Sequence, residues 1–343
     1  MNPIMLSVII SSLALGTIIT MSSHHWLLAW VGLELNTLAI VPIIAKQHHP
    51  RATEATTKYF LTQAAASATI LFASTINAWT SGSWDISQLT SLPACTLLTM
   101  ALSMKLGLAP LHFWLPEVLQ GTPLTTALII VTWQKLAPLT LLYLTQNSLC
   151  TTTLLMMGLL STLTGGWGGL NQTQTRKIMA FSSIAHLGWM ATILTLAPNI
   201  MLLNLTLYIM MTTSMFLLLI TTSAKTIQDL TTLWAISPTM SALALTLLMS
   251  LAGLPPFTGF MPKWLILQEL TTHNLCTIAT MMALSALLSL FFYLRLSYIS
   301  TLTLALTPTQ STHKWRFKPN TTTPMTPTII LSTLLLPTTP LLI

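Results

Sequence analysis

The chain has 343 residues, 53% of them hydrophobic and only 6% charged, with a mean hydropathy of +0.74 and a formal net charge of +7. A soluble domain carries roughly a quarter charged residues, so a water-soluble globular protein is excluded. The positive charge marks no nucleic-acid patch, because the basic residues are scattered through short segments between apolar runs.

In chain order, the first run, MNPIMLSVIISSLALGTIITM, has no Lys or Arg before Lys46 and lacks the basic opening of a secretory signal. It reads as a retained first helix. Apolar stretches lie near 3–22, 26–45, 58–79, 94–116, 123–144, 150–170, 178–197, 200–222, 239–266, 276–297 and 325–343, separated by polar or proline-bearing breaks. A helix needs about 20 mostly apolar residues to cross the hydrocarbon core. The expected fold is therefore an all-α polytopic membrane protein with about eleven spanning helices, and the odd number puts the termini on opposite sides. Cys95, Cys150 and Cys276 are far apart without CxxC spacing, so they suggest neither a disulfide framework nor an iron–sulfur site.

Successive loops alternate between the two faces, and Lys and Arg mark the inner one. Lys46, Arg51, Lys58, Arg176, Lys177, Lys225, Lys314, Arg316 and Lys318 fall in or beside loops on the N-terminal side, and Arg295 ends a span there: ten of thirteen basic residues. The opposite loops, around His24, Asp85, Asn147 and Pro198, carry none. The N-terminus is expected in the positive-inside compartment. Glu54 and Lys58, at i, i+4 spacing, read as a surface ion pair, and Glu117, His48 and His49 as loop or interface residues.

Lys105, Lys135 and Lys263 instead lie within spans, as does Glu34 in LLAWVGLELNTLAIV. A charge at the bilayer centre costs about 2.5–3.5 kcal/mol on insertion scales, so charges at these positions imply a protein-lined polar interior. That interior is either an ion path or a Glu–Lys pair locking two helices. His112 and His186 also fall inside spans, where imidazole suits a proton shuttle and equally a satisfied core residue.

Two spans are interrupted. SMKLGLAPLHFWLPEV, 103–118, contains Gly107, Pro110 and Pro116; LAGLPPFTGFMPKW, 251–264, contains Gly253, Pro255, Pro256, Gly259 and Pro262. Proline removes an amide donor and frees carbonyls that need partners in a wet or protein-lined cavity. Paired interruptions in two halves of a chain point to an ion path, while either alone reads equally as a kink. Spans one to five overlay six to ten, with the fourth of each set broken and charged. A single membrane domain is expected: a first five-helix repeat at 1–149, a second, inverted repeat at 150–300, and a loop with a terminal helix at 301–343.

These stretches, together with AWVGLELN at 29–36, TWQKLAPL at 132–139 and TQTRKIMAFSSIAHLGWM at 173–190, resemble the antiporter-like membrane subunits of respiratory complex I and their relatives in multisubunit cation/proton antiporters. The resemblance covers nearly the whole chain, which is about three N-terminal helices shorter than the family's pattern. It implies that Glu34, Lys105, Lys135 and Lys263 are the family's proton-path residues. It also implies a place in the mitochondrial inner membrane with the N-terminus on the matrix side and the C-terminus on the intermembrane-space side. Membrane-arm neighbours, including other antiporter-like subunits, and lipids would surround it. FMN, iron–sulfur clusters and ubiquinone would reside in other subunits, with no cofactor in this chain. GGWGG at 165–169 sits in an apolar run and suits helix packing, not nucleotide binding.

A lysine ordinarily keeps its proton near neutrality. Burial and a neighbouring cation favour its neutral form, a nearby carboxylate its charged one. The expected path loads a proton on Lys105 opposite Glu34, relays it through Lys135 and passes it on through Lys263. A free-standing cation/proton antiporter subunit would share these features. A passive scaffold would gain nothing from the cost of its buried charges.

Overall fold

The computed structural model describes residues 3–46, 49–236, 238–302 and 325–337. His48, Lys314, Arg316, Lys318 and the end of the eleventh expected span lie outside the described residues. The chain divides into two compact units, Met1–Ser161 with Leu194–Pro198, and Thr162–Ile193 with Asn199–Ile343.

The first unit contains α1 (Pro3–Ser22), α2 (Trp26–Ala45), α3 (Pro50–Ser81), α4 (Leu92–Leu106), α5 (Trp114–Gly121), α6 (Leu124–Val131) and α7 (Trp133–Leu144). Helix α8 (Thr151–Gly169) carries the chain into the second unit, which contains α9 (Thr175–Ile193), α10 (Pro198–Thr222), α11 (Ile227–Ile236), α12 (Pro238–Ala252), α13 (Phe260–Thr272), α14 (Cys276–Leu302) and α15 (Met325–Leu334). Among the described residues, six segments are long and apolar enough to cross a membrane: Pro3–Ser22, Trp26–Ala45, Pro50–Ser81, Leu124–Leu144, Pro198–Thr222 and Cys276–Thr301. Shorter apolar helices at Leu92–Leu106, Pro238–Ala252 and Met325–Leu334 accompany them. Both proline-rich spans are discontinuous as expected, divided between α4 and α5 and between α12 and α13.

Several elements differ from the sequence reading. Helix α3 begins at Pro50, not near 58, because the His49 side chain accepts the Arg51 amide at 3.2 Å and Pro50 occupies the first turn, where its missing donor costs nothing. His49 is thus a helix cap, not a plain loop residue. The span of Lys135 is also interrupted, at Thr132 between α6 and α7. The Thr132 hydroxyl bonds back to the Leu128 carbonyl at 2.7 Å, and Pro138 inside α7 can offer no amide to the turn before it. Helix α11 was not expected at all. It starts with a reciprocal cap: the Asp229 carboxylate accepts the Lys225 and Thr226 amides at 2.8 Å each, while the Thr226 hydroxyl accepts the Asp229 amide at 3.3 Å.

Loops pair within each unit. His25 and Asp85 form an isolated bridge in the first, with the His25 ring stacked on Trp84 at 5.7 Å. Gln174 and Thr226 form another in the second, flanked by the Thr175 amide bonding the Lys225 carbonyl at 3.1 Å. These pairs place the His24 and Asp85 loops on one face of their unit, and the Gln174 and Lys225 loops on one face of theirs.

Helix α2, which carries Glu34, is seated by a close crossing with α1. A Cβ on Gly32 would lie 2.6 Å from Thr20 Cγ2 and 2.9 Å from the Gly16 carbonyl, so only glycine lets the backbones approach this far. Gly32→Val is expected to cost about 1–3 kcal/mol by overpacking and to lower the Tm of the assembled complex; an unchanged melting curve would show that α1 can retreat freely.

Candidate functional site

The site is built on two helix ends inside the apolar interior. Helix α4 stops because Gly107 takes a left-handed conformation, φ +80°. The Leu108 amide then bonds the Ser103 carbonyl at 2.9 Å and the Gly107 amide the Met104 carbonyl at 3.2 Å, the double bond of a Schellman end. Helix α12 stops in the same way. Gly253 has φ +75°, and the Leu254 and Gly253 amides bond the Met249 and Ser250 carbonyls at 3.3 and 3.0 Å. A cis X-Pro bond follows each stop, Ala109–Pro110 and Pro255–Pro256.

This arrangement leaves the last carbonyls of each helix without an amide, and a lysine takes one at each end. Lys135, 1% exposed on α7, donates from Nζ to the Leu106 carbonyl. Its ammonium also lies 5.7 Å from the centroid of the Trp114 ring, within cation–π range. Lys263, on α13, donates to the Ala252 carbonyl at 2.8 Å. An ammonium suits the partial negative charge of a helix C-terminus, so charge and hydrogen bond act together.

Lys105 and Glu34 behave differently. Lys105 is 5% exposed in the last turn of α4, and its Nζ meets no hydrogen-bond acceptor among the described residues. Glu34 Oε2 is likewise buried and unbonded. Glu34 is the carboxylate within electrostatic reach of Lys105, yet no salt bridge joins them, whereas Lys58 pairs directly with Glu54 at 2.5 Å and with Glu117 at 2.7 Å. The pair is thus brought into proximity without being locked. Glu117 belongs to α5 and clamps it to α3 through Lys58, so it is a helix residue rather than a loop one.

The histidines divide between the two breaks. His112 is 7% exposed with its ring against Phe113 at 4.3 Å, and its Nδ1 has no partner among the described residues. His186, 6% exposed, packs on Tyr208 at 5.5 Å and lies near the Leu251 backbone and within electrostatic reach of Lys263. It therefore stands at the end of α12, beside the second break.

Trp114 was not singled out from the sequence. Its indole donates to the Met104 carbonyl at 3.0 Å, and its ring meets Tyr59 edge-on at 5.8 Å while underlying Lys135. It joins α3, α4 and α7 at the first break. The signal available was its place directly after the interruption, in HFWLPEV. Among the described residues no group of three His, Cys, Asp or Glu side chains is placed to hold a metal ion.

Residues 23–289 match the family described as NADH:quinone oxidoreductase/Mrp antiporter, TM, and residues 290–343 match the NADH dehydrogenase subunit 2 C-terminus. The chain is 59% identical over 344 residues, all of both chains, to NADH-ubiquinone oxidoreductase chain 2 of Varanus timorensis. It is 60% identical over 341 residues to the protein of that name from Salmo salar, covering 99% of this chain and 98% of the other. A chain of respiratory complex I from Thermus thermophilus has a TM-score of 0.86 at 27% identity, over 97% of this chain and 77% of its own. The chain belongs to the family of antiporter-like membrane subunits of NADH:quinone oxidoreductases. It is a multi-pass membrane-arm subunit of respiratory complex I, the proton-translocating NADH:ubiquinone reductase, and works within a multisubunit assembly of other membrane subunits.

A Cβ on Gly253 would lie 3.0 Å from the Gly259 carbonyl and from both Cδ and Nζ of Lys263, whereas the nearest atoms to one on Gly107 are side-chain atoms of Leu115 and Trp114, at 3.2 Å and beyond. Gly107→Ala and Gly253→Ala should each lose about 1–2 kcal/mol to the left-handed backbone. Only Gly253→Ala should also push a lysine off its carbonyl. Thermal melts and density maps of the two variants check this; Lys263 still bonded to Ala252 in Gly253→Ala would contradict it.

Proposed function

We propose that this subunit carries protons along Glu34, Lys105, Lys135 and Lys263, with His112 and His186 as auxiliary shuttles beside the two breaks. The single observation that carries the reading is the pair of helix ends at Leu106 and Ala252, each of which holds a lysine ammonium, buried for Lys135 and half-buried for Lys263, on a carbonyl freed by the break. Such a bond stabilises the charged lysine without neutralising it by a carboxylate. Modest movement of the helix end or of the lysine is then enough to withdraw that stabilisation and release the proton.

Loading falls to Lys105 and Glu34. Neither is locked to the other, and both keep a buried polar atom free of protein partners. Water reaching them can exchange a proton with Lys105 beside the Glu34 carboxyl group. Lys135 then serves as the relay, held over Trp114 and against the end of α4 one residue beyond Lys105. Lys263 passes the proton towards the opposite face.

The two breaks support an internal repeat over 1–149 and 150–300 with 301–343 added. Gly107-Leu108-Ala109-Pro110 corresponds to Gly253-Leu254-Pro255-Pro256, each with the same end motif. In that register Lys263 matches Glu117 rather than Lys105, so the two halves place their lysines differently around the same break. The subunit sits in the inner mitochondrial membrane with its N-terminus towards the matrix and its C-terminus towards the intermembrane space, as the one-sided distribution of ten of thirteen basic residues supports. Electron transfer through FMN, iron–sulfur clusters and ubiquinone belongs to other subunits, and this chain itself takes no cofactor.

Lys135→Met keeps the length and the apolar stem of the side chain but removes the charge. Proton transfer through this subunit should be abolished, with the complex still assembling, when protons moved per NADH oxidised are measured in reconstituted vesicles. Undiminished proton transfer would contradict the relay.

A further inference from the structure

The first unit buries more unbonded polar groups around Glu34 than Glu34 and Lys105 alone. The Tyr59 hydroxyl and the Gln63 side-chain amide are also enclosed without a hydrogen-bond partner among the described residues, in side chains 1% and 4% exposed. A buried donor left unmade costs free energy that a fold avoids unless something bonds it. Four such groups in one region call for a common partner.

Their placement follows from the helix geometry. Tyr59 and Gln63 are four residues apart on α3 and share one face. The Trp30 indole on α2 donates to the Ser67 carbonyl on α3 at 3.1 Å. From that bond the two helices run in opposite directions, so Glu34, one turn beyond Trp30, comes level with Gln63, one turn before Ser67. Tyr59 is one turn further, with its ring against Trp114 at 5.8 Å. Glu34 is also the charged group within electrostatic reach of both the Tyr59 hydroxyl and the Lys105 ammonium.

We propose that Tyr59 and Gln63 complete a buried water-binding site with Glu34 and Lys105, in which the Tyr59 hydroxyl and the Gln63 amide, through shared water, hold the Glu34 carboxylate in position to face Lys105. The inference rests on the loading step proposed above. Tyr59 is a positioning residue: it keeps its own proton, donates a hydrogen bond, and sets where the Glu34 oxygens lie when the lysine accepts or releases a proton through water. Gln63 supplies the second donor, so the carboxylate stays solvated in a region otherwise lined by apolar side chains. When Lys105 gives up its proton these two donors, rather than the ammonium, stabilise the remaining negative charge.

Tyr59→Phe in the intact complex tests this, because it preserves the ring against Trp114 and removes only the hydroxyl. Proton translocation coupled to NADH oxidation should fall about tenfold, the worth of one hydrogen bond to a charged group, with assembly and Tm unchanged. The same substitution in a Glu34→Gln background should produce no further loss, since groups acting through one another are not additive. An infrared difference band that Glu34→Gln removes should shift in frequency in Tyr59→Phe, and this readout holds even where the double variant is too slow to assay. Full activity in Tyr59→Phe, an equal loss in both backgrounds, or an unshifted Glu34 band would each overturn the proposal. Full proton translocation by Glu34→Gln alone would show instead that the loading step fails, and the Tyr59 role with it.

Discussion

An α-helix that ends inside hydrocarbon leaves carbonyls with no water to bond them, and the structure depends on how those carbonyls are satisfied. Each costs free energy if left bare. At Leu106 and Ala252 the partner is a lysine. A buried ammonium and a freed carbonyl are each unfavourable alone, but they offset one another without an acidic counter-ion. This is why few carboxylates are needed to bury these lysines, and why the break and the charge occur together. The amount of binding depends on local geometry, so it can be varied by small displacements of a helix end, which a tight Lys–carboxylate pair would resist.

The packing around the breaks shows which parts are held firmly. Trp114 fastens the first break by bonding Met104, meeting Tyr59 and underlying Lys135. Lys58, bridging Glu54 and Glu117, links the first turn of α5 to α3 at the surface. In the second unit the Thr258 hydroxyl bonds the Ser332 carbonyl of α15, and Arg295 of α14 bonds the Leu170 and Gln172 carbonyls between α8 and α9. Fixed elements thus surround the sites, while the Glu34–Lys105 pair within the first is left without a direct bond. The rigid parts hold the donors near one another, and the unbonded atoms are where proton exchange with water can occur.

Much of this was legible in the sequence because charge in an apolar run is anomalous. Glu34, Lys105, Lys135 and Lys263 stood out by insertion cost alone, and Gly107, Pro110, Pro255 and Pro256 by their conflict with helix continuity. Tyr59, Gln63 and Trp114 did not, since an uncharged polar side chain in a spanning helix is common and its importance lies in what faces it. The carbonyls that hold Lys135 and Lys263 are backbone atoms, carried by every residue and marked by none. The start of α3 was hidden because its first turns, PRATEATT, are polar enough to resemble a loop, although Pro50 after His49 is a proper helix beginning. The cap of α11 is present in the sequence as Thr226 followed three residues later by Asp229, in a segment too short to read as a span.

The two breaks share a backbone solution and differ in which element controls the lysine. At the first, the capping lysine comes from α7, so a shift of α4 against α7 withdraws it from Leu106, and Trp114, in contact with both, is placed to feel that shift. At the second, the capping lysine belongs to α13, the continuation of the same broken span, and Gly253 leaves just enough room for its stem. Release there needs only a change across the interruption between α12 and α13. His186 of α9 lies beside that interruption, near Leu251 and Lys263. One half therefore ties lysine charge to the packing of separate helices, the other to the bend within a single span. A proton arriving by either route alters the stabilisation of a helix end, which is the physical means by which charge and helix position influence each other in this subunit.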